Sequence, residues 1–310
     1  MKVNTLHYRP EIDGLRALAV ISVLLFHVGI DSFRGGYVGV DVFFVISGFL
    51  ITNIILTDVE KGTFKLYNFY QRRIRRIAPA LIFVVIISIP FSWYILLPND
   101  FKDFSQSLVA VSTFTSNILF WREVDYFETQ AELKPLLHTW SLAIEEQFYI
   151  IYPLILLFLF KFKKNIIFST LVILLMLSFF LCIETNYYNP KTSFYFIHTR
   201  AWELIMGCLL AFNIQYKLIK KMSFRSNQLL SLAGLFLIFF SILQFDHKTS
   251  FPSWYTLLPT IGTLLILNCA VDNTIVKKIL QTSFLVKIGL ISYSAYLWHF
   301  PIIAYTKYFY

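Results

Sequence analysis

The chain has 310 residues, of which 57% are hydrophobic, 18% aromatic and only 15% charged, with a formal net charge of +9. Apolar runs recur along nearly the whole length, which excludes a soluble globule and marks an all-α polytopic membrane protein. The basic residues gather in the loops between those runs, where they orient the chain in a bilayer, so no nucleic-acid partner is expected.

The first apolar segment, 15–29, has no small-residue cleavage site behind it and reads as a retained membrane helix. Arg16 and His27 lie on it eleven positions apart. At about 100° per residue they share one helix face, roughly 16 Å apart along the axis. Both are costly in an apolar helix unless they pair, face a wet cavity or bind a ligand, which makes them the first site candidates.

The second segment, 37–57, follows Arg34-Gly35-Gly36 and carries Asp41 about one turn in. That carboxylate needs a partner: Arg34, His27, a bound substrate or an interhelical hydrogen bond. The glycines allow close backbone approach or ordinary helix packing. Immediately before the third segment, 78–97, stands Arg72-Arg73-Ile74-Arg75-Arg76-Ile77-Ala78-Pro79. Its four guanidinium groups read either as a topology anchor or as an anion site for a phosphorylated cytoplasmic cosubstrate, assisted by a helix N-terminus.

The next stretch, 98–145, is ambiguous, because Ser105 to Asn117 is long enough to cross but holds eight hydroxyl or amide side chains. If 105–121 does not cross, 19 of the 27 lysines and arginines fall on one side; if it does, the split is 15 against 12. The positive-inside rule favours the first arrangement: about nine crossings, a cytoplasmic N-terminus, and a re-entrant or interfacial segment near 105–121 beside an outer cavity. The later spans are 146–160, 166–183, 201–214, 228–244, 255–271 and 288–306. The sequence stops at Tyr310 on an apolar run, which predicts that the single membrane domain, 1–310, is truncated at its C-terminal side.

Further polar residues cluster at helix mouths. His138-Thr139-Trp140 with Glu145 and Glu146 opens the fourth span; the carboxylates are a helix-N-terminal pattern or, with His138 seven residues before Glu145, one functional face. Arg200 and Glu203 head the sixth span, and His299 lies in the ninth without an interfacial excuse. Cys182, Cys208 and Cys269 have no metal-ligand spacing and read as packing residues, and no metal site is expected. Nucleophile-elbow, phosphate-loop and His-Glu-x-x-His zinc motifs are absent.

Six blocks in order, Tyr8 to Arg16 with His27, Arg34 to Phe49, Arg72 to Pro79, His138 to Tyr149, Arg200 to Gly207 and Ser292 to Pro301, resemble the membrane acyltransferase 3 family across the whole chain. Tyr126 to Trp140 is most similar to the bacterial O-acetyltransferases of lipopolysaccharide O-antigen and related surface polysaccharides. Many of those add further membrane helices and a periplasmic hydrolase-like domain, which this chain does not show.

The resemblance implies a multi-pass protein of the bacterial inner (cytoplasmic) membrane. Its acyl donor would be cytoplasmic acetyl-CoA, used as a cosubstrate, and its acceptor a hydroxyl of a lipid-linked or nascent surface polysaccharide. Arg16 and His27 would be the catalytic pair, with Arg72, Arg73 and Arg76 on the coenzyme phosphates. Asp41, His138, Trp140, Glu145, Arg200, Glu203 and His299 would line the substrate cavity. A transporter or flippase of a lipid-linked sugar or anion is the alternative, since buried charges also line transport paths.

Overall fold

Five helices are long and apolar enough to cross a bilayer, and they set the frame of the computed structural model, which describes residues 8–123, 131–218 and 222–308. They are α2 (Gly39–Glu60) with the 3-10 turn before it, α3 (Leu66–Ile95), α6 (Thr139–Leu159), α7 (Lys164–Tyr188) and α10 (Phe224–Gln244). Around them stand α1 (Pro10–Val28), α4 (Pro98–Ser112), α5 (Ser116–Glu123), α8 (Pro190–Tyr195), α9 (Ile197–Tyr216), α11 (Leu257–Cys269), α12 (Ile275–Leu280) and α13 (Ser283–Lys307). No strand occurs among the described residues. Tyr126 to Gln130, Lys2, Lys220, Lys221 and Tyr310, on which parts of the sequence reading rest, lie outside them.

Each of the nine apolar segments expected from sequence falls on a helix. The four that fall short of a span in length, hydropathy or freedom from charge are α1, α9, α11 and α13, of which only α11 is too short. Two of these are diluted by the charges that make them interesting, Glu11, Asp13 and Arg16 on α1 and Arg200 and Glu203 on α9. The segment α2 is 78% buried, whereas α3, α7 and α10 are 28%, 22% and 28% buried, so α2 is the centre and the other three form the rim. Their outward faces carry Ile82, Phe83, Ile86, Ile173, Met176 and Phe180, the pattern of a surface solvated by lipid rather than water. Cys182, Cys208 and Cys269 are buried free thiols.

Two helix starts differ from the sequence reading. The third apolar helix begins at Leu66, so Arg72 to Arg76 sit within it and the helix-N-terminus contribution to an anion site falls away. The fourth begins at Thr139, which puts Glu145 and Glu146 inside the helix rather than at its N-terminus. Both extensions are amphipathic turns whose polar residues hide them from a search for apolar runs.

Residues 105–121 fold as α4 and α5, broken at Thr113–Thr115 where Phe114 takes a φ of 54°. The 15 residues of α4 span roughly 22 Å, short of a hydrocarbon core of about 30 Å. Its polar neighbours are satisfied within the protein: Ser116 donates to the Thr139 carbonyl at 2.9 Å, Asn117 to the Tyr195 carbonyl at 3.0 Å, and Gln147 to Asn117 at 2.9 Å.

Close backbone contact welds α2 to α9 and α1 to α13. A Cβ on Gly48 would lie 1.8 Å from the Leu204 carbonyl oxygen, and one on Gly289 only 1.9 Å from that of Asp13. Small residues permit such approach in membranes, where dispersion replaces the hydrophobic effect as the helix–helix attraction. Gly289→Ala is therefore expected to push α13 off α1 and destabilise the protein by about 1–3 kcal/mol. Thermal unfolding in detergent reads this directly, and an unchanged melting curve would contradict the contact.

Candidate active site

Two cavities lie toward opposite ends of α1. The inner one, about 100 Å³, is walled by Phe43, Phe44, Ile46 and Leu50 of α2 and receives three guanidinium groups, Arg16 from α1 and Arg73 and Arg76 from α3. Asp13 steadies Arg16 at 3.2 Å and itself accepts a hydrogen bond from the Tyr8 hydroxyl at 2.8 Å. Glu145 of α6 supplies the one carboxylate of the lining and accepts a hydrogen bond from Ser47 at 2.7 Å. The Nε of Arg73 is buried with no hydrogen-bond partner among the described residues. Three cations against one carboxylate, one of them with an unused donor, is an arrangement that fits an anion with several oxygens. Ser141, Tyr149, Ser292, Tyr293 and Tyr296 complete its polar wall.

The outer cavity, about 430 Å³, opens beside His27. Arg34, Lys248 and Lys307 face Asp31, Asp246 and Glu132 across it. Arg34 pairs with Asp31 at 2.8 Å and Lys307 with Glu132. The backbone N–H of Lys248 and the Thr249 hydroxyl hold the half-buried Asp246 carboxyl below the usual carboxylate range. Such a rim of paired charges offers donors and acceptors in alternation, which suits a polyhydroxylated ligand.

Between the cavities three imidazoles gather around Phe300. His27 and His299 have ring centroids 5.1 Å apart, and His138 and His299 5.4 Å. Phe300 meets all three rings at 5.1, 5.6 and 5.8 Å. The Nδ1 of His27 lies 2.9 Å from the Val23 carbonyl oxygen. A carbonyl only accepts, so that nitrogen carries the hydrogen and Nε2 keeps the lone pair of a base.

A third polar group is fully buried. Arg200 of α9 donates to Asp41 of α2 at 2.6 Å and stands 2.9 Å from Glu203, all with no exposed side-chain surface. The rings of Phe44, Trp140, Phe194 and Phe251 surround the guanidinium at 5.4 to 5.7 Å. Among the described residues no three His, Cys, Asp or Glu side chains are grouped as metal ligands.

The acyltransferase 3 family profile, described as an acyltransferase domain, matches residues 9–310. The chain belongs to that family. The peptidoglycan O-acetyltransferase OatA of Listeria monocytogenes is 36% identical over 96% of this chain and 50% of its own length. The O-acetyltransferase OatA of Staphylococcus aureus is 35% identical over 100% of this chain and 53% of its own. The chain thus spans about half the length of these curated relatives, and neither is named for O-antigen or lipopolysaccharide. No solved structure matches.

In this acyltransferase domain the sequence candidates fall into three groups. Arg16, Arg73, Arg76 and Glu145 meet at the inner cavity, and His27, His138 and His299 form the histidine cluster. Asp41, Arg200 and Glu203 line neither cavity and form the buried triad, with Trp140 in its aromatic wall; Asp41 thus finds Arg200, and neither Arg34 nor His27. Arg72 turns away and pairs with Asp58 at 2.7 Å, half exposed. Sequence reasoning missed Tyr296 and Ser141, whose hydroxyls meet at 2.7 Å between the inner cavity and the histidines. Tyr296 precedes His299 by three positions and Ser292 precedes Tyr296 by four, a one-face helical spacing that marks this stripe of α13.

Proposed function

We propose that this domain is a membrane-embedded O-acyltransferase that takes an acetyl group from cytoplasmic acetyl-CoA and passes it to a hydroxyl of a cell-wall polysaccharide or its lipid-linked precursor. The observation that carries this reading is the inner cavity, where Arg16, Arg73 and Arg76 converge below a histidine cluster that opens onto a second cavity. Arg73 and Arg76 would hold the coenzyme phosphates, and Arg16 would orient the thioester carbonyl. His27, whose Nδ1 is engaged by the Val23 carbonyl, would accept the proton of the acceptor alcohol at Nε2 as the new C–O bond forms and the C–S bond breaks, or carry the acetyl group transiently. The name of the Listeria relative favours peptidoglycan over an O-antigen as the acceptor class.

The same reading places the domain across a bacterial cytoplasmic membrane with about nine crossings and the N-terminus inside. The charge split of 19 lysines and arginines among 27 supports that orientation, in which the Arg73 and Arg76 face would meet the cytoplasm.

Free-thiol release from acetyl-CoA by the purified protein in nanodiscs tests it. Wild type is expected to release coenzyme A when a muropeptide acceptor is added, and His27→Ala and Arg16→Ala to lose about 10²–10⁴-fold at matched folding. A folded His27→Ala protein of full activity would sink the assignment. Absence of thiol release from wild type would favour the transporter reading, which has no reason to cleave a thioester.

A further inference from the structure

Acyl transfer from a thioester to an alcohol moves one proton from the acceptor hydroxyl to the coenzyme sulfur, whatever route the acetyl group takes. If the acceptor sits at the outer cavity and the thiolate, once the C–O bond has formed and the C–S bond has broken beside His27, withdraws to the inner cavity with its phosphates, that proton is taken up on one side of the protein and needed on the other. The ground between them is not apolar packing. His299 is buried, donates Nδ1–H to the Tyr296 carbonyl, and has no hydrogen-bond partner at Nε2 among the described residues. His138 is 1% exposed, and neither of its ring nitrogens has a hydrogen-bond partner among the described residues. Beside it lies the Leu297 carbonyl, which Pro301 leaves without its helical N–H donor. Burying unpaired polar nitrogens costs stability that an apolar residue would avoid, so their presence calls for a use.

The order in space supplies one. His27 lines the outer cavity and neighbours His299; His299 neighbours both His138 and Tyr296, the latter at 5.2 Å between centroids. Tyr296 and Ser141, joined at 2.7 Å, line the inner cavity, and the Tyr296 hydroxyl lies 3.0 Å from the His138 carbonyl oxygen. Centroids about 5 Å apart let ring nitrogens connect directly or through one water.

Resting on the acyltransferase reading, we propose that His299 and His138 form a buried proton relay from His27 to the Tyr296 and Ser141 hydroxyls. In it the alcohol proton passes to His27 Nε2, then to His299 Nε2, then to His138. Tyr296 and Ser141 each accept one proton and release another, and the thiolate left by C–S cleavage takes the last. Each imidazole returns to neutrality, and no proton enters either aqueous phase. The Tyr296 and Leu297 carbonyls steady the transient imidazolium ions. Three cations and three carboxylates line the outer cavity, and three cations with Glu145 line the inner one.

His299→Gln and His138→Gln test this in the full chain in nanodiscs, with acetyl-CoA and a muropeptide acceptor. The relay predicts an unchanged KM for acetyl-CoA, kcat lower by about 10²-fold, and a larger solvent deuterium effect on kcat, with melting temperatures near that of wild type. His299→Ala should regain turnover when imidazole is added. Full kcat in either glutamine variant would overturn the relay. So would a loss that follows the melting temperature, with no change in the deuterium effect and no response to imidazole. If wild type itself releases no thiol, the acyltransferase reading falls and the relay with it; if wild type turns over and the variants match it, only the relay falls.

Discussion

Arg200→Met is expected to yield little folded protein. Arg200, Asp41 and Glu203 have no exposed side-chain surface, and removing the cation leaves two carboxylates facing each other inside α2 and α9. Breaking a buried ion group from one side costs about 3–5 kcal/mol, against a total stability of about 5–15 kcal/mol for an ordinary domain. The aromatic wall of Phe44, Trp140, Phe194 and Phe251 deepens the loss, since the face of each ring favours a cation and none favours a carboxylate. Monodisperse yield and thermal unfolding in detergent measure the effect. A triple variant, Arg200→Met with Asp41→Asn and Glu203→Gln, should recover part of the stability because no charge is then left alone. Wild-type melting of Arg200→Met would mean that the carboxylates reach water, and would return all three residues to the list of substrate contacts.

The second large effect concerns the arginines of α3. Arg73→Ala with Arg76→Ala is expected to raise the KM for acetyl-CoA by about 10²–10⁴-fold, because each removes a charge-assisted hydrogen bond of about 1.5–3 kcal/mol. Arg76 stands exposed at the cavity mouth, where water weakens its share, so the lower end of that range is expected. Arg72→Ala should stay within a few fold of wild type, since that side chain leaves the cavity for Asp58. Initial rates across acetyl-CoA concentrations separate the cases. Equal damage from Arg72→Ala and from Arg73→Ala would mean that the run acts as one basic patch rather than as a shaped cavity.

That pair of arginines shows where the sequence is readable and where it stops. Four guanidinium groups before an apolar run signal an anion or a membrane surface from composition alone. Adjacent helix positions differ by about 100°, and Arg76 lies angularly between Arg72 and Arg73, so spacing does not say which of the two faces the bundle. The position of Asp58 on α2 and the cavity wall settle it, and both are tertiary facts. Arg16 and His27 were legible because both sit on one helix and the 3.6-residue period relates them. His138 and His299 were visible only as isolated costly residues, because three distant segments bring them to His27. The Asp41–Arg200 pair spans 159 positions, and nothing in the local pattern around either residue names the other. Each of the nine apolar runs read from hydropathy falls on a helix among the described residues, but two of them were started too late, and those missed turns are where Arg73, Arg76 and Glu145 stand.

The contact between α1 and α13 ties the order of synthesis to the finished site. The ribosome delivers α1 first and α13 near the end of the described chain, so Gly289 meets the Asp13 backbone, and His299 meets His27, only after nearly everything between them has been inserted. Until then α1, with Glu11, Asp13, Arg16 and His27 on it, stands without its last wall. A chain halted before Ser283 has the three arginines but neither Tyr296 nor His299, and a cavity open on the side that α13 should close. Correct assembly of this domain is therefore a late event, and a translocon or chaperone that shelters α1 during elongation would have its greatest effect on this helix.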